Sequence, residues 1–205
     1  MYFAVTVGEQ FYPNIKNYLQ LEGLCYRLVP IDNGGREKVN TEAMYDNLMH
    51  KFRFGGIENP EIYIDAHLMR MSRTHRMMFA SLVEALIDEG QNDKALEVLD
   101  YCMQVIPPTT VPHDYTSVML ADAYYTLGEN AKGDNITGAF AAELYQRLEW
   151  IQSLPEKDRN RLSREMGAQQ NLGMLHNLYY ICADNERPLA EDIRSRFEKY
   201  YLMAQ

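Results

Sequence analysis

The feature that most constrains the fold is a pair of apolar stripes between residues 65 and 107. The first stripe has the 3.6-residue spacing of an amphipathic helix and consists of Phe79, Leu82, Val83 and Leu86. The second has the same spacing and consists of Ala95, Leu96, Leu99, Cys102 and Met103. Asp65 can cap the first helix, Gly90 can end it, and Pro107 prevents the second from continuing. The pattern therefore predicts a helical hairpin.

The same residues resemble a tetratricopeptide repeat. Such repeats span about 34 residues, and the order and spacing of Phe79, Gly90, Ala95 and Pro107 match them. The small side chain of Ala95 fits this class, because the second helix must approach the first closely. The resemblance implies a stacked array of helices.

A second, degenerate copy of the repeat begins at Leu120. It keeps Tyr124 and Gly128 at the expected spacing, but Gly133 and Gly138 fall where its second helix should be strongest. We therefore expect that helix to start late or to kink near Gly138. Two further helices are predicted, over residues 158–183 and 188–203.

The amino-terminal region differs from the rest in its residue types. Residues 2–7 and 23–31 are rich in β-branched and aromatic side chains and predict two strands, with a short helix over 11–21 between them. A two-stranded sheet is marginal, so we expect a third strand to be missing or to come from elsewhere. The chain is therefore expected to be cut from a longer protein, with an incomplete element at 1–38 and a tetratricopeptide-like domain at 39–205.

The segment joining these regions has two recognisable parts. Asn40 or Thr41 can cap a helix in which Met44, Leu48 and Phe52 recur every four residues. A short extended run follows at residues 62–64. The predicted fold class is thus mainly α, with a small α/β element at the amino end.

Composition excludes two kinds of partner. Twenty Lys and Arg against 29 Asp and Glu give a net charge of −9, the wrong sign for collecting nucleic-acid phosphates. No apolar run approaches the roughly 18 residues that a membrane-spanning helix needs. We predict no nucleic-acid partner, and a membrane link only through missing upstream segments.

No pattern of catalytic, cofactor-binding or metal-ligating residues is present. The three cysteines, Cys25, Cys102 and Cys182, are far apart and predict small buried side chains, or else one disulfide and a free thiol. No two of the five histidines have the i, i+4 spacing that places both rings on one helix face. The prediction is that this chain is not an enzyme and holds no cofactor or metal.

Four residues are candidates for contact with a ligand or partner. Arg70, Arg73 and Arg76 follow one another at i, i+3 and predict a basic patch that could hold a phosphate or carboxylate, unless each arginine pairs with one of the chain's own carboxylates. Tyr125 is the fourth, because one ring of the Tyr124–Tyr125 doublet can face a groove while the other enters the core.

A wider resemblance covers nearly the whole chain. It rests on the segments YFAVTV, LEGLCYRLVPI, VNTEAMYDNLMHKFRFGG, MRMSRTHRMMFASLVEALIDEGQNDKALEVLDYCMQVIP and ADAYYTLGE. Their order is similar to the carboxy-terminal region of a bacterial family of multi-pass membrane proteins that resemble protein O-mannosyltransferases. The resemblance implies a soluble tail on the periplasmic face of the inner membrane. It carries over no catalytic residue, because those residues lie in the family's membrane domain.

The predicted function is a non-catalytic protein-interaction or positioning module. By resemblance its parent would be a membrane-bound, lipid-sugar-dependent glycosyltransferase, and its partner a protein, a peptide or the parent's own membrane domain. Two alternatives remain open at this point: an independent soluble enzyme with a Tyr-lined groove, and a purely structural assembly module.

Overall fold

The computed structural model describes residues 1–11, 14–34, 38–159 and 167–203. These residues form two compact units, 1–112 and 113–205. The prediction of a mainly α protein with a small amino-terminal α/β element is confirmed. The predicted domain boundary between residues 38 and 39 falls within the last strand of the amino-terminal sheet, and the predicted division into two domains stays a prediction.

The first unit begins with a four-stranded sheet. Its strands are β1 (Tyr2–Ala4), β2 (Leu19–Leu21), β3 (Cys25–Leu28) and β4 (Lys38–Val39), in the spatial order β1-β3-β2-β4. β3 pairs antiparallel with both β1 and β2, and β4 pairs parallel with β2. Of the two alternatives for the third strand, a missing strand is wrong, and the further strands, β2 and β4, come from other parts of this chain.

The predicted helix over residues 11–21 is also corrected. Short 3-10 helices cover Glu9–Phe11 and Lys16–Tyr18, and the chain then becomes strand β2. Leu19 and Leu21 are buried while Gln20 between them is partly exposed, which is the two-residue alternation of a strand. Residues 12 and 13 lie outside the described residues. Three residues are too few for this alternation to outweigh the helical spacing in the sequence.

Both predicted strands at the amino end are shorter than expected. β1 ends at Ala4 because the Val7 amide donates to the Ala4 carbonyl over 2.9 Å and closes a turn.

After β4, the Asn40 side chain accepts a hydrogen bond from the Ala43 amide, so the predicted cap is confirmed. Helix α1 (Thr41–Asp46) follows and continues as a π-helical turn, Asn47–Lys51.

The predicted helical hairpin is present in the first unit. It consists of α2 (Ala66–Asp88), capped by Asp65, and α3 (Asn92–Val105), which pack against each other. Gly90 joins them with a φ of 73°, a backbone conformation that side chains disfavour. The first stripe is buried, and in the second stripe Ala95, Leu99 and Cys102 are fully buried while Leu96 and Met103 are partly exposed. Membership of the tetratricopeptide class stays a prediction.

Ala95→Leu should destabilise the protein because it overpacks the crossing of α2 and α3. We expect a loss of about 1–3 kcal/mol in the free energy of unfolding, measured by urea denaturation. Lys94→Leu adds the same side chain at the exposed neighbouring position and should change stability by less than about 0.5 kcal/mol. Equal stability of the two variants would contradict a close helix crossing at Ala95.

The second unit is helical throughout its described parts. Its helices are α4 (Tyr115–Thr126), α5 (Asn130–Ser153), α6 (Ala168–Asp184) and α7 (Leu189–Met203). α7 matches the predicted last helix, and part of the predicted helix over 158–183 falls at 160–166, outside the described residues. The largest side chains of the core include Phe140, Leu144, Leu175 and Tyr200.

Helix α5 corrects the expectation of a late start. It begins at Asn130 and includes both Gly133 and Gly138. A Cβ at Gly133 would overlap the ring of Tyr125, whereas a Cβ at Gly138 would meet nothing within 4 Å. The Tyr125 ring occupies the space that a side chain at position 133 would need, so this position of α5 requires glycine.

This difference predicts opposite effects for the same substitution at two positions of α5. Gly133→Ala should cost about 1–3 kcal/mol, because the Tyr125 ring must move. Gly138→Ala should leave stability unchanged or raise it by up to about 1 kcal/mol through helix propensity. Chemical denaturation of both variants checks the prediction, and a Gly133→Ala protein as stable as Gly138→Ala would show that Tyr125 lies elsewhere.

Candidate partner-binding groove

Arg76 lies inside the first unit rather than on a basic patch. Arg76 is only 1% exposed to solvent. Its Nη2 group donates to the Ile106 carbonyl over 3.0 Å and to the Val111 carbonyl over 2.6 Å, and Nη1 donates to the Pro112 carbonyl over 3.1 Å. The planar guanidinium suits several acceptors at fixed angles. Arg76 thus ties the segment after α3 to the middle of α2.

The prediction that Arg76 contacts a partner is therefore corrected. The i, i+3 spacing groups it with Arg70 and Arg73, but residue 76 also falls on the stripe that contains Ser72, Phe79 and Val83. All members of that stripe are buried. Its position on the inner face of α2 outweighs the preference of a charged side chain for water, because backbone carbonyls accept hydrogen bonds from both of its Nη groups.

Arg70 and Arg73 lie on the exposed side of α2. The Arg70 guanidinium lies 2.9 Å from Nδ1 of His67, one turn earlier. Both arginines are accessible from solvent, so their proposed contact with a partner stays a prediction.

An open groove of mixed apolar and polar lining lies beside the first turns of α2. Its volume is about 400 Å³, and its walls are formed by residues 60–64, which include Glu61, by Met69 and by Thr109 and Thr110. Tyr63 is 86% exposed at its edge. The sequence analysis identified residues 62–64 as an extended run but not as a site. The available signal was two β-branched residues and a tyrosine between helices, with no partner strand predicted for them.

Both walls of the groove are held by hydrogen bonds. On one side, the amides of Thr110 and Val111 donate to the Pro107 carbonyl over 3.2 and 3.0 Å, within the segment that Arg76 ties down. On the other side, the Ile62 amide donates to the Asn59 carbonyl over 3.2 Å. The groove therefore exists before any partner binds, so little backbone ordering is needed on binding.

A second groove, of about 440 Å³, lies between β4 and α2 and is acidic. Its lining includes Glu84, Asp88 and Glu89, with Lys38 as the cation. Under the predicted tetratricopeptide resemblance, Glu84 would occupy a position where Lys or Asn is needed to hold a partner's terminal carboxylate. Like charge would repel a carboxylate, so this groove does not suit that binding mode.

Tyr125 is a buried member of a polar cluster in the second unit whose other members, Asp134 and Arg187, are partly exposed. Its hydroxyl donates to Oδ1 of Asp134 over 3.1 Å and lies 3.1 Å from Oγ1 of Thr137. Arg187 binds the same carboxylate through Nε, 3.0 Å from Oδ1, and through Nη2, 2.5 Å from Oδ2. The ring of Tyr124 is buried as well, so neither member of the doublet faces a groove.

The prediction that Tyr125 contacts a partner is thus corrected. Neighbouring helices cover α4 on more than one side, and its buried residues include Val118, Leu120 and Ala121. A doublet divides between core and surface only when one side of its helix is open, and sequence spacing does not reveal how many sides are covered.

Burial and the Arg187 guanidinium together set the charge states in this cluster. Burial raises the pKa of the Tyr125 hydroxyl, so the phenol stays protonated. It also raises the pKa of the Cys182 thiol, whose sulfur lies 3.9 Å from that hydroxyl. The Arg187 guanidinium holds the pKa of Asp134 below its ordinary value. A neutral phenol, a neutral thiol and a paired carboxylate stabilise the structure and provide no nucleophile.

The Asp134–Arg187 pair predicts a specific dependence of stability on pH. Because the pKa of Asp134 is lower in the folded state, the stabilisation is fully present above the ordinary value of about 3.9 and is lost as the pH falls below it. Asp134→Asn should lower the melting temperature at pH 7, and the difference from the parent should shrink below about pH 4.

Thermal melts from pH 7 to pH 3 measure this effect. Asp93→Asn, at an exposed position of the other unit, controls for the loss of one carboxylate. If the difference in melting temperature between Asp134→Asn and the unmutated protein stayed constant from pH 7 to pH 3, the Asp134–Arg187 pairing would be contradicted.

One buried pair resembles a base and a nucleophile. Nδ1 of His113 lies 2.9 Å from Oγ of Ser117, but both residues are buried. The Asp114 side chain accepts hydrogen bonds from the amides of Thr116 and Ser117, and the Ser117 hydroxyl accepts one from the Asp114 amide, so Asp114 and Ser117 form a capping box for α4. The His113–Ser117 pair is not among the residues predicted from the sequence. The pair offers no accessible nucleophile.

The other titratable groups form no metal centre in the part of the chain that the structure describes. There, no three His, Cys, Asp or Glu side chains lie close enough to hold an ion. All three cysteines are free thiols, and of these Cys102 and Cys182 are buried.

Comparison with known proteins identifies one region. Residues 1–46 match the family model described as TMEM260-associated domain 2. No curated protein matches the chain, and no solved structure does. The matched residues form the four-stranded sheet and α1, so they lie outside both the groove beside α2 and the Tyr125 cluster. The match is consistent with a domain from a TMEM260-like membrane protein family. Among the described helices, none is both long and apolar enough to span a bilayer.

Proposed function

We propose that this chain is a non-catalytic interaction module that binds an extended segment of a partner polypeptide in the groove beside α2. The observation that carries the proposal is the exposure of Tyr63 at the edge of a groove whose walls are already in place. Large exposed apolar side chains beside a concave surface are typical of sites where proteins bind one another.

The dimensions and chemistry of the groove suit one or two side chains of a peptide. About 400 Å³ lies at the lower end of the volumes of ligand sites. Ile62, Ile64 and Met69 offer aliphatic contacts, and Tyr63 adds an aromatic ring with a hydroxyl that can pair with a peptide backbone. Met adapts to different shapes, which favours recognition of a class of segments over one exact sequence.

The family match supports a location for this module within a larger protein. Residues 1–46 would be the part common to TMEM260-like proteins, and the remaining helices would carry the groove. In this proposal the parent is a membrane-bound, O-mannosyltransferase-like glycosyltransferase, and the module lies on the periplasmic face of the membrane. It would hold acceptor protein, or brace the catalytic loops, while chemistry takes place in the membrane domain.

A peptide selection tests the groove. Displayed random 12-residue peptides are selected on the unmutated chain, and the affinity of the best binder is measured by calorimetry. We expect Tyr63→Ala to weaken binding at least tenfold, in line with the loss of an interface hot spot. The control variant Tyr115→Ala, at a tyrosine of the second unit that is 54% exposed, should bind the peptide as tightly as the unmutated chain does.

Two outcomes would contradict the proposal. If the selected peptides bind the Tyr63→Ala variant as tightly as they bind the unmutated chain, the groove is not the binding site. Turnover of a lipid-linked sugar donor by this chain alone would show that it is an enzyme and not a module.

A further inference from the structure

Residues 62–64, which form one edge of the groove beside α2, are a short run of backbone that is fixed at both ends. At the first end, the Ile62 amide donates to the Asn59 carbonyl over 3.2 Å. At the second end, the Asp65 side chain accepts from the Leu68 amide over 2.7 Å and caps α2. The position of the run is therefore set by its own neighbours before a partner arrives.

The backbone groups in the middle of this run are open. Among the residues that the structure describes, none forms a hydrogen bond with the amide or the carbonyl of Tyr63 or Ile64. Neither residue belongs to a helix, a strand or a turn, and Asp65 after them is extended, with a φ of −72° and a ψ of 172°. Tyr63 is 86% exposed, so a partner can reach its N–H and C=O groups.

These open groups restrict what can cover Tyr63. Water satisfies them while the groove is empty, and a bound partner removes that water. A backbone donor or acceptor that is then left without a partner weakens binding. In extended backbone, the N–H and C=O groups of one residue lie on the same edge and can both pair with one neighbouring segment. A partner that covers Tyr63 must therefore bring an acceptor and a donor together.

Three kinds of polypeptide segment differ in whether they can meet this requirement. A helix uses its backbone groups for its own hydrogen bonds and would leave those of Tyr63 unpaired. A proline-rich segment offers carbonyls but lacks an N–H group at each proline. A β-strand carries donors and acceptors along its edge, and such edges pair with exposed backbone in strand addition.

We infer that the partner segment adds to Tyr63 as a β-strand. This inference rests on the proposed function and specifies the class of segment that the groove recognises. Side chains alternate between the two faces of a strand, and a groove of about 400 Å³ has room for one or two of them beside Met69. The recognised segments therefore have an apolar residue at every second position and no proline at the residue that pairs with Tyr63.

Hydrogen exchange at the Tyr63 amide gives the first test. It is measured by NMR on the unmutated chain, alone and saturated with the 12-residue peptide selected on it. Pairing within a strand protects an amide that exchanges freely when it is open. We expect peptide binding to slow exchange of the Tyr63 amide at least tenfold. The amide of Tyr115, the first residue of α4 in the second unit, should exchange at an unchanged rate.

N-methylation of the peptide gives a second test that leaves the chain itself unaltered. One backbone N–H of the peptide at a time is replaced by an N-methyl group, and each affinity is measured by calorimetry. Successive residues of a strand direct their N–H groups to opposite edges, so only alternate positions face Tyr63. We expect methylation at the position paired with Tyr63 to weaken binding at least tenfold, and methylation at its two neighbours to change affinity by less than about threefold.

The two tests separate this inference from the proposed function. Suppose that Tyr63→Ala weakens binding, but the Tyr63 amide exchanges equally fast with and without peptide. The groove is then the site and strand addition is wrong. The same conclusion follows if N-methylation is tolerated at every position, or is equally damaging at consecutive positions. A selection that returns no peptide, or only peptides that bind Tyr63→Ala as tightly as the unmutated chain, contradicts the proposed function and this inference with it.

Discussion

The first unit depends on one buried charge, the guanidinium of Arg76. A cation taken out of water is costly unless its donors are satisfied, and here three carbonyls from residues 106–112 accept from it. One of them belongs to Ile106, the residue that caps the carboxy-terminal end of α3, and the other two belong to Val111 and Pro112 in the segment that follows. The same interaction therefore ties the end of α3 and the segment that contains Thr109 and Thr110 to α2.

The second unit uses a comparable arrangement around Tyr125. A buried hydroxyl on α4 is joined to a carboxylate on α5 and a guanidinium just after α6, both of which are partly exposed. Gly133 makes the arrangement possible because any side chain there would occupy the space of the ring. In both units a residue that resembles a ligand contact in the sequence stabilises the structure instead. The surface proposed to bind a partner includes the irregular segment at 60–64.

The groove proposed to bind a partner has walls that are already in place, so it suits a flexible segment that orders on binding. Residues 1–46, which match a family model, do not line this groove.

Local patterns in the sequence determined the helices of this protein. Apolar residues at 3.6-residue spacing, the caps Asn40 and Asp65, and the reversal at Gly90 all act within a few residues of one another, so they could be predicted without knowledge of the neighbours. Strand β2 could not be predicted this way, because its identity depends on pairing with residues 25–28 and 38–39, and a three-residue strand carries too little pattern of its own. The roles of Arg76 and Tyr125 were decided by tertiary structure for a related reason. Whether a polar side chain binds a partner or the protein itself depends on which sides of its helix are covered, and that is set by elements distant in sequence.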